Sequence, residues 1–147
     1  MTDDSDTARN HPLIAEFIAK VDAQTDDGIP SLKTIQDPGF LPFWPYLIVH
    51  TFQQPSNDFL TTYYGTHVAT MYGQDCTGKM MTEMGFGDAV ELIRGKNKEV
   101  LDTRQRAFSS YGIFWQERDH LTIHQVKMPM RRTDSAINDV LVCMKIE

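Results

Sequence analysis

His120 and His124 are the first residues whose spacing invites chemistry. Four positions apart on a helix, two imidazoles share one face and can close on a metal ion. Leu121, Thr122 and Ile123 between them favour a strand instead. At about 3.3 Å per residue the two rings then start about 13 Å apart, so the pair predicts no metal site. Cys76, in Gln74-Asp75-Cys76-Thr77-Gly78, becomes a nucleophile only where a helix N-terminus lowers its pKa and a base stands beside it. No such base can be picked out, and an inert thiol is expected. His50 falls in a β-branched run and reads as a half-buried polar residue. His67 follows Gly65-Thr66 at a helix start, as a cap-region residue or a polar group of a pocket. There is no G-x-S-x-G, H-E-x-x-H or phosphate-binding glycine loop, and Gly85-Phe86-Gly87 is only a flexible joint. No carboxylate pair sits in an apolar frame suited to acid and base work. No catalytic residue is assigned, and the chain reads as a non-enzyme.

What remains is apolar bulk: Trp44, Tyr63, Tyr64, Tyr72, Tyr111, Phe114 and Trp115, with eight methionines that include Met71, Met80, Met81, Met84 and Met128. Aromatics mixed with flexible methionines fill an irregular core, or they line an adaptable cavity between helices and a sheet. In the second case the candidate lining is Tyr63, His67, Met71, Met84, Ile93, Trp115 and His124. His124, on one strand face with Thr122, Val126 and Met128, is then the expected polar contact.

The elements that must hold these residues follow from periodicity. Met1 to Arg9 is short and acidic and reads as a disordered tail. Leu13, Ile14, Phe17, Ile18 and Val21 recur at helical spacing, so residues 10–28 read as an amphipathic helix with Asn10 as cap. Prolines 38, 42 and 45 allow at most a short helical turn before Tyr46 to Phe52 and Asp58 to Tyr64, which read as a β-hairpin. Short helical pieces follow to Gly87, then a longer helix from Asp88 to about Arg106, with Val90, Ile93, Val100 and Leu101 inward and Gly95 as a soft spot. Ser110 to Glu117, Leu121 to Met130 and Ile137 to Ile146 close the chain as strands. In the last, Val140, Val142, Met144 and Ile146 share one side, opposite Cys143 and Lys145. The predicted fold is α+β: a five-stranded, mostly antiparallel sheet with helices on one face, plus the N-terminal helix.

Composition bounds the function. The 147 residues carry 14 Lys and Arg against 20 Asp and Glu, a formal charge of −6, which argues against a nucleic-acid partner. Two cysteines without C-x-x-C spacing suit a reducing compartment. No apolar run nears the roughly 20 residues of a membrane span, so a cytoplasmic protein is expected.

Leu32 to Glu147 resembles a PAS domain. The most specific portion is Phe59 to Lys79, FLTTYYGTHVATMYGQDCTGK, with Gly73, a short connector and Gly78-Lys79. The proline-rich entry LKTIQDPGFLPFWPY is similar to that of a bacterial stand-alone PAS branch. The resemblance implies a sensory or dimerising module for residues 29–147, with any ligand between the helices and the inner sheet face. Asp75-Cys76-Thr77-Gly78 does not match the flavin-photosensor cysteine motif, and Asp88 to Arg106 lacks a histidine for haem, so the cofactor stays unknown. Gly65 stands where many PAS domains have Asn. Tyr46, Ile48 and Phe52 face one way and Leu47 and Val49 the other, so something apolar covers the outer face as well. The N-terminal stripe is the candidate, within the chain or across a homodimer formed through Leu13, Phe17, Ile18 and Val21. A separate effector protein is the other candidate partner. The alternatives are a small-molecule enzyme on an α+β cavity fold, with His124, His50 or Cys76 as catalyst, and a ligand-free dimerisation scaffold.

Overall fold

The computed structural model describes residues 5–113, 118–132 and 136–147. Five strands, β1 (Leu47–Gln53), β2 (Asp58–Tyr64), β3 (Ala107–Ile113), β4 (Arg118–Arg131) and β5 (Ile137–Ile146), form one sheet in the order β2-β1-β5-β4-β3. Every pairing is antiparallel. The chain is α+β, as its alternating periodicities require. Among the described residues no helix is long and apolar enough to cross a membrane.

The period-2 alternation sorts the strands between two cores. On one side Ile48, Ile123, Val140, Val142, Met144 and Ile146 pack against Val68, Tyr72, Met81, Met84, Phe86, Val100 and Leu101. These come from α4 (Thr66–Tyr72), a 3-10 turn at Met81–Glu83 with its flanks, and α5 (Ala89–Thr103). On the other side Leu47, Val49, Val126, Met128, Met130, Leu141 and Cys143 pack against Ile14, Phe17, Val21, Ile35, Phe40 and Phe43. Those belong to α2 (Pro12–Gln24), α3 (Leu32–Ile35) and the 3-10 segment Pro38–Tyr46. The sheet is thus buried on both faces, which is why β1 carries no polar face.

Local sequence explains the covering elements. Pro12 opens α2, and His11 rather than Asn10 is its cap, with Nδ1 accepting from the Leu13 N–H at 3.3 Å. Ile14, Phe17 and Val21 lie on one stripe and are fully buried, and Phe17 meets Phe40 and Phe43 edge-on at 6.1 and 5.3 Å. Ser31 and Thr34 cap α3 reciprocally. Three prolines keep residues 38–46 in a 3-10 path, and the Trp44 indole donates to Ile35 O at 2.8 Å. Gly65 is required because a Cβ there would collide with Pro45 O.

The expected tail is corrected in part: Ser5–Asn10 forms a helix, α1. Ala8 is fully buried, α1 lies against β3, and the Arg9 guanidinium sits 4.0 Å from the Phe108 ring centroid. A small apolar residue and a stacking cation suffice to dock a turn that composition alone marks as polar.

Candidate functional site

Between the sheet and α5 the interior is polar. On β4 the odd positions Gln125 and Lys127 continue the row of Ile123 toward α5, while the even positions Val126 and Met128 face α2. Lys127 is only 4% exposed and donates through Nζ to Asn97 Oδ1 on α5 at 2.7 Å. Asn97 is fully buried. Gln125 Nε2 donates to Ser109 Oγ at 3.1 Å and to Tyr111 Oη at 3.2 Å. Its Oε1, like Asn97 Nδ2, is buried without a partner among the described residues. His50 Nδ1 pairs with Thr61 Oγ1 at 3.3 Å.

His50, Tyr111, Gln125 and Lys127 surround a hollow of about 30 Å³, lined also by Ile48, Tyr64, Tyr72, Met81, Met84 and Ile93. That is room for about one water molecule. Ile93, Tyr111, Gln125 and Lys127 also line a groove of about 440 Å³ that opens between α5 and β3–β4 and is bordered by Gly95, Lys96 and Ser109. The same four side chains therefore separate the interior from an open cleft. Asp58, at the start of β2, accepts from Thr82 Oγ1 at 2.8 Å and lies 3.5 Å from Arg94 Nε on α5.

Electrostatics mark the same residues. Burial, then the positive charge of Lys96, pushes the Lys127 pKa down to about 7. Burial, then the Lys127 charge, takes His50 down to about 3, so it stays a neutral imidazole. Burial raises Tyr64 and Tyr72 above the ordinary phenol and Cys76 above the ordinary thiol. Cys76 is held in the unreactive form.

Of the residues predicted from sequence, Met84 and Ile93 line the hollow. Met71 packs against the same core as a partly buried residue. Tyr63 points outward at 37% exposure, donates to Trp44 O at 3.0 Å and borders a depression with Trp44, Leu47 and Val49. His67 sits beside the Tyr46 ring, 4.8 Å between centroids, and its Nε2 accepts from the Ile146 N–H at 3.1 Å. Burial lowers its pKa. Trp115 lies outside the described residues. His124 is placed on the opposite face from the hollow: it shares the even positions with Val126 and Met128, and those pack under α2. His50, Gln125 and Lys127 are polar lining residues that the sequence reading left out of the hollow, and Asn97 stands behind Lys127. The available signal was Ile123-Gln125-Lys127, two long polar side chains alternating with apolar residues in the middle of a strand.

On its own face His124 joins a second cluster. Its Nδ1 is 2.8 Å from Ser110 Oγ and its ring lies 4.8 Å from that of His11. His11 Nε2 is 2.9 Å and His124 Nε2 3.4 Å from Glu147 Oε1. His120 is exposed on the same strand, so the histidine pair the fold brings together is not the one adjacent in sequence. No protein-family model, curated protein or solved structure matches the chain.

Proposed function

We propose that the chain is a PAS-type sensory and interaction module that takes a small carboxylate between α5 and the inner sheet face, with Lys127 as its counter-charge. One observation carries the reading: Lys127 is buried where its partner is a neutral amide and the charged group acting on it is another cation, Lys96. A bound carboxylate would satisfy that ammonium and accept from Asn97 Nδ2. The arrangement of hairpin, helical middle and three closing strands in a single antiparallel sheet supports the PAS resemblance. So does a hollow between the helices and the sheet, mostly apolar with His50, Gln125 and Lys127 in its wall.

The mechanism is a population shift. The Lys127–Asn97 bond ties β4 to α5, and a carboxylate that competes with Asn97 for the ammonium favours a different seating of α5. The output passes to a separate effector or through a homodimer. Because Phe17 and Val21 are already buried in the chain's own outer core, a dimer through Leu13, Phe17, Ile18 and Val21 forms by exchange of α2 between protomers.

The hollow's size, about 30 Å³, favours a second reading, a ligand-free scaffold. Calorimetry and amide NMR with a series from acetate to benzoate, on the parent protein and on Lys127→Met, separate the two. The sensory reading expects one-to-one binding with shifts centred on Asn97 and Gln125, weakened at least about tenfold by the substitution. Absence of shifts at millimolar carboxylate supports the scaffold, whereas binding that Lys127→Met leaves intact removes Lys127 as the counter-charge.

A further inference from the structure

The cluster at the start of α2 has the composition of a metal site. His11 comes from the cap of α2, His124 from β4, and Glu147 directly follows β5. Glu147 is held in place by backbone bonds with Thr122, from N–H to O at 3.0 Å and from Thr122 N–H to its own O at 2.7 Å. Thr122 and His124 lie on one strand face, so the Glu147 carboxylate and the His124 ring are diagonal neighbours on the α2 side of the sheet. One ligand atom from each of the three residues lies within 4.8 Å of the others. A tetrahedral ion about 2.0–2.1 Å from each nitrogen and oxygen would need them roughly 3.4 Å apart. The separations from Glu147 Oε1, 2.9 and 3.4 Å, are already close to that.

We infer that His11, His124 and Glu147 bind a divalent transition-metal ion of the zinc type, which staples the N-terminus of α2 to the sheet. Two imidazoles and one carboxylate suit Zn²⁺ rather than Ca²⁺ or Mg²⁺, and they leave a fourth position for water. Ser110 supplies the outer contact that such a histidine ordinarily has. When His124 Nδ1–H donates to Ser110 Oγ at 2.8 Å, the Nε2 lone pair is turned toward Glu147. His11 needs one adjustment. Its Nδ1 now accepts the Leu13 N–H at 3.3 Å, so coordination through Nε2 moves the ring proton to Nδ1 and releases that long bond. No proton leaves the protein, and no redox change is involved.

The test is titration of the tag-free, metal-stripped full chain with Zn²⁺ by calorimetry, with Co²⁺ absorption as the report on coordination. One-to-one uptake in the micromolar range or tighter is expected, with a rise in melting temperature. Glu147→Gln, at an exposed position, and His11→Asn, which retains a good helix cap, should each weaken uptake more than about a hundredfold without unfolding the protein. Ser110→Ala should weaken it about tenfold, and His120→Ala should leave it unchanged. Absence of one-to-one uptake by the parent, or uptake that Glu147→Gln and His11→Asn leave intact, overturns the assignment.

Discussion

A lysine ammonium removed from water loses several kcal/mol of hydration unless partners replace it, and among the described residues Lys127 has one neutral hydrogen bond, 2.7 Å to Asn97. Its pKa therefore falls from 10.5 to about 7. The unfolded chain binds this proton up to about pH 10.5 and the folded chain only to about pH 7, so between those values the unfolded state holds more protons. Stability must then rise with pH across that window, and the penalty is complete below it. At about 1.4 kcal/mol per pH unit the effect amounts to a few kcal/mol. The tyrosines and cysteines whose pKa values burial raises act in the opposite sense above about pH 9, so the informative interval is pH 6.5 to 8.5. Urea unfolding of the parent and of Lys127→Met/Asn97→Leu, which removes both partners together, isolates this term. The double variant should be the more stable protein at pH 6.5, and its lead should shrink by pH 8.5. A gap that stays constant across the interval would mean that Lys127 is not the buried titrating cation described above.

At the scale of elements, α5 is both the wall of the groove and the tie to β4. Gly95 lies mid-helix, borders the groove, and a Cβ there meets nothing within 4 Å. Gly95→Ala should raise stability by up to about 1 kcal/mol, read from the urea midpoint, because alanine orders a helix interior more readily than glycine. Gly95→Leu should keep the fold while narrowing the groove, so carboxylate binding falls and the melting temperature does not. Loss of both together would place Gly95 in packing rather than on the entry path. Much of this framework is legible in the sequence. The alternation Val140-Val142-Met144-Ile146 identifies a buried face of β5, and the split of β1 into Ile48 against Leu47 and Val49 requires cover on both sides. Which face holds the hollow is not legible from apolar alternation, because a sheet buried on both faces is apolar on both. Val126 and Met128 drew His124 to the wrong side, and only the polar Gln125 and Lys127 mark the right one. His11 and Glu147 stand 136 positions apart, so only tertiary structure could bring them together.

At the scale of the whole molecule, α2 shares the cover of the outer sheet face with α3 and the 3-10 segment that follows it. Residues 25–31 link α2 to α3, and that link is fastened by Arg106 to Asp22 and Gly28 O and by Arg131 to Asp27 and Ile29 O. Exposed ion pairs of this kind contribute about 0–1 kcal/mol each. The burial of Ile14, Phe17 and Val21, at about 1.5–3 kcal/mol per side chain, is the larger hold on α2. Deleting residues 1–28 removes those three side chains and opens the part of the apolar outer face around Val126, Met128 and Leu141, while α3 and the 3-10 segment still cover Leu47 and Val49. Such a surface favours association. The truncated chain should bind a hydrophobic dye and sediment as oligomers, whereas the intact chain should form at most a dimer through exchanged α2. Exchange also predicts that Phe17→Ala destabilises monomer and dimer alike by about 3–5 kcal/mol, since each holds the same contact, while Ile18→Ala, at a partly buried position, does so less. A truncated chain that remains monomeric with an unchanged melting temperature would show that α2 is not part of the outer core and would leave exchange without a driving force.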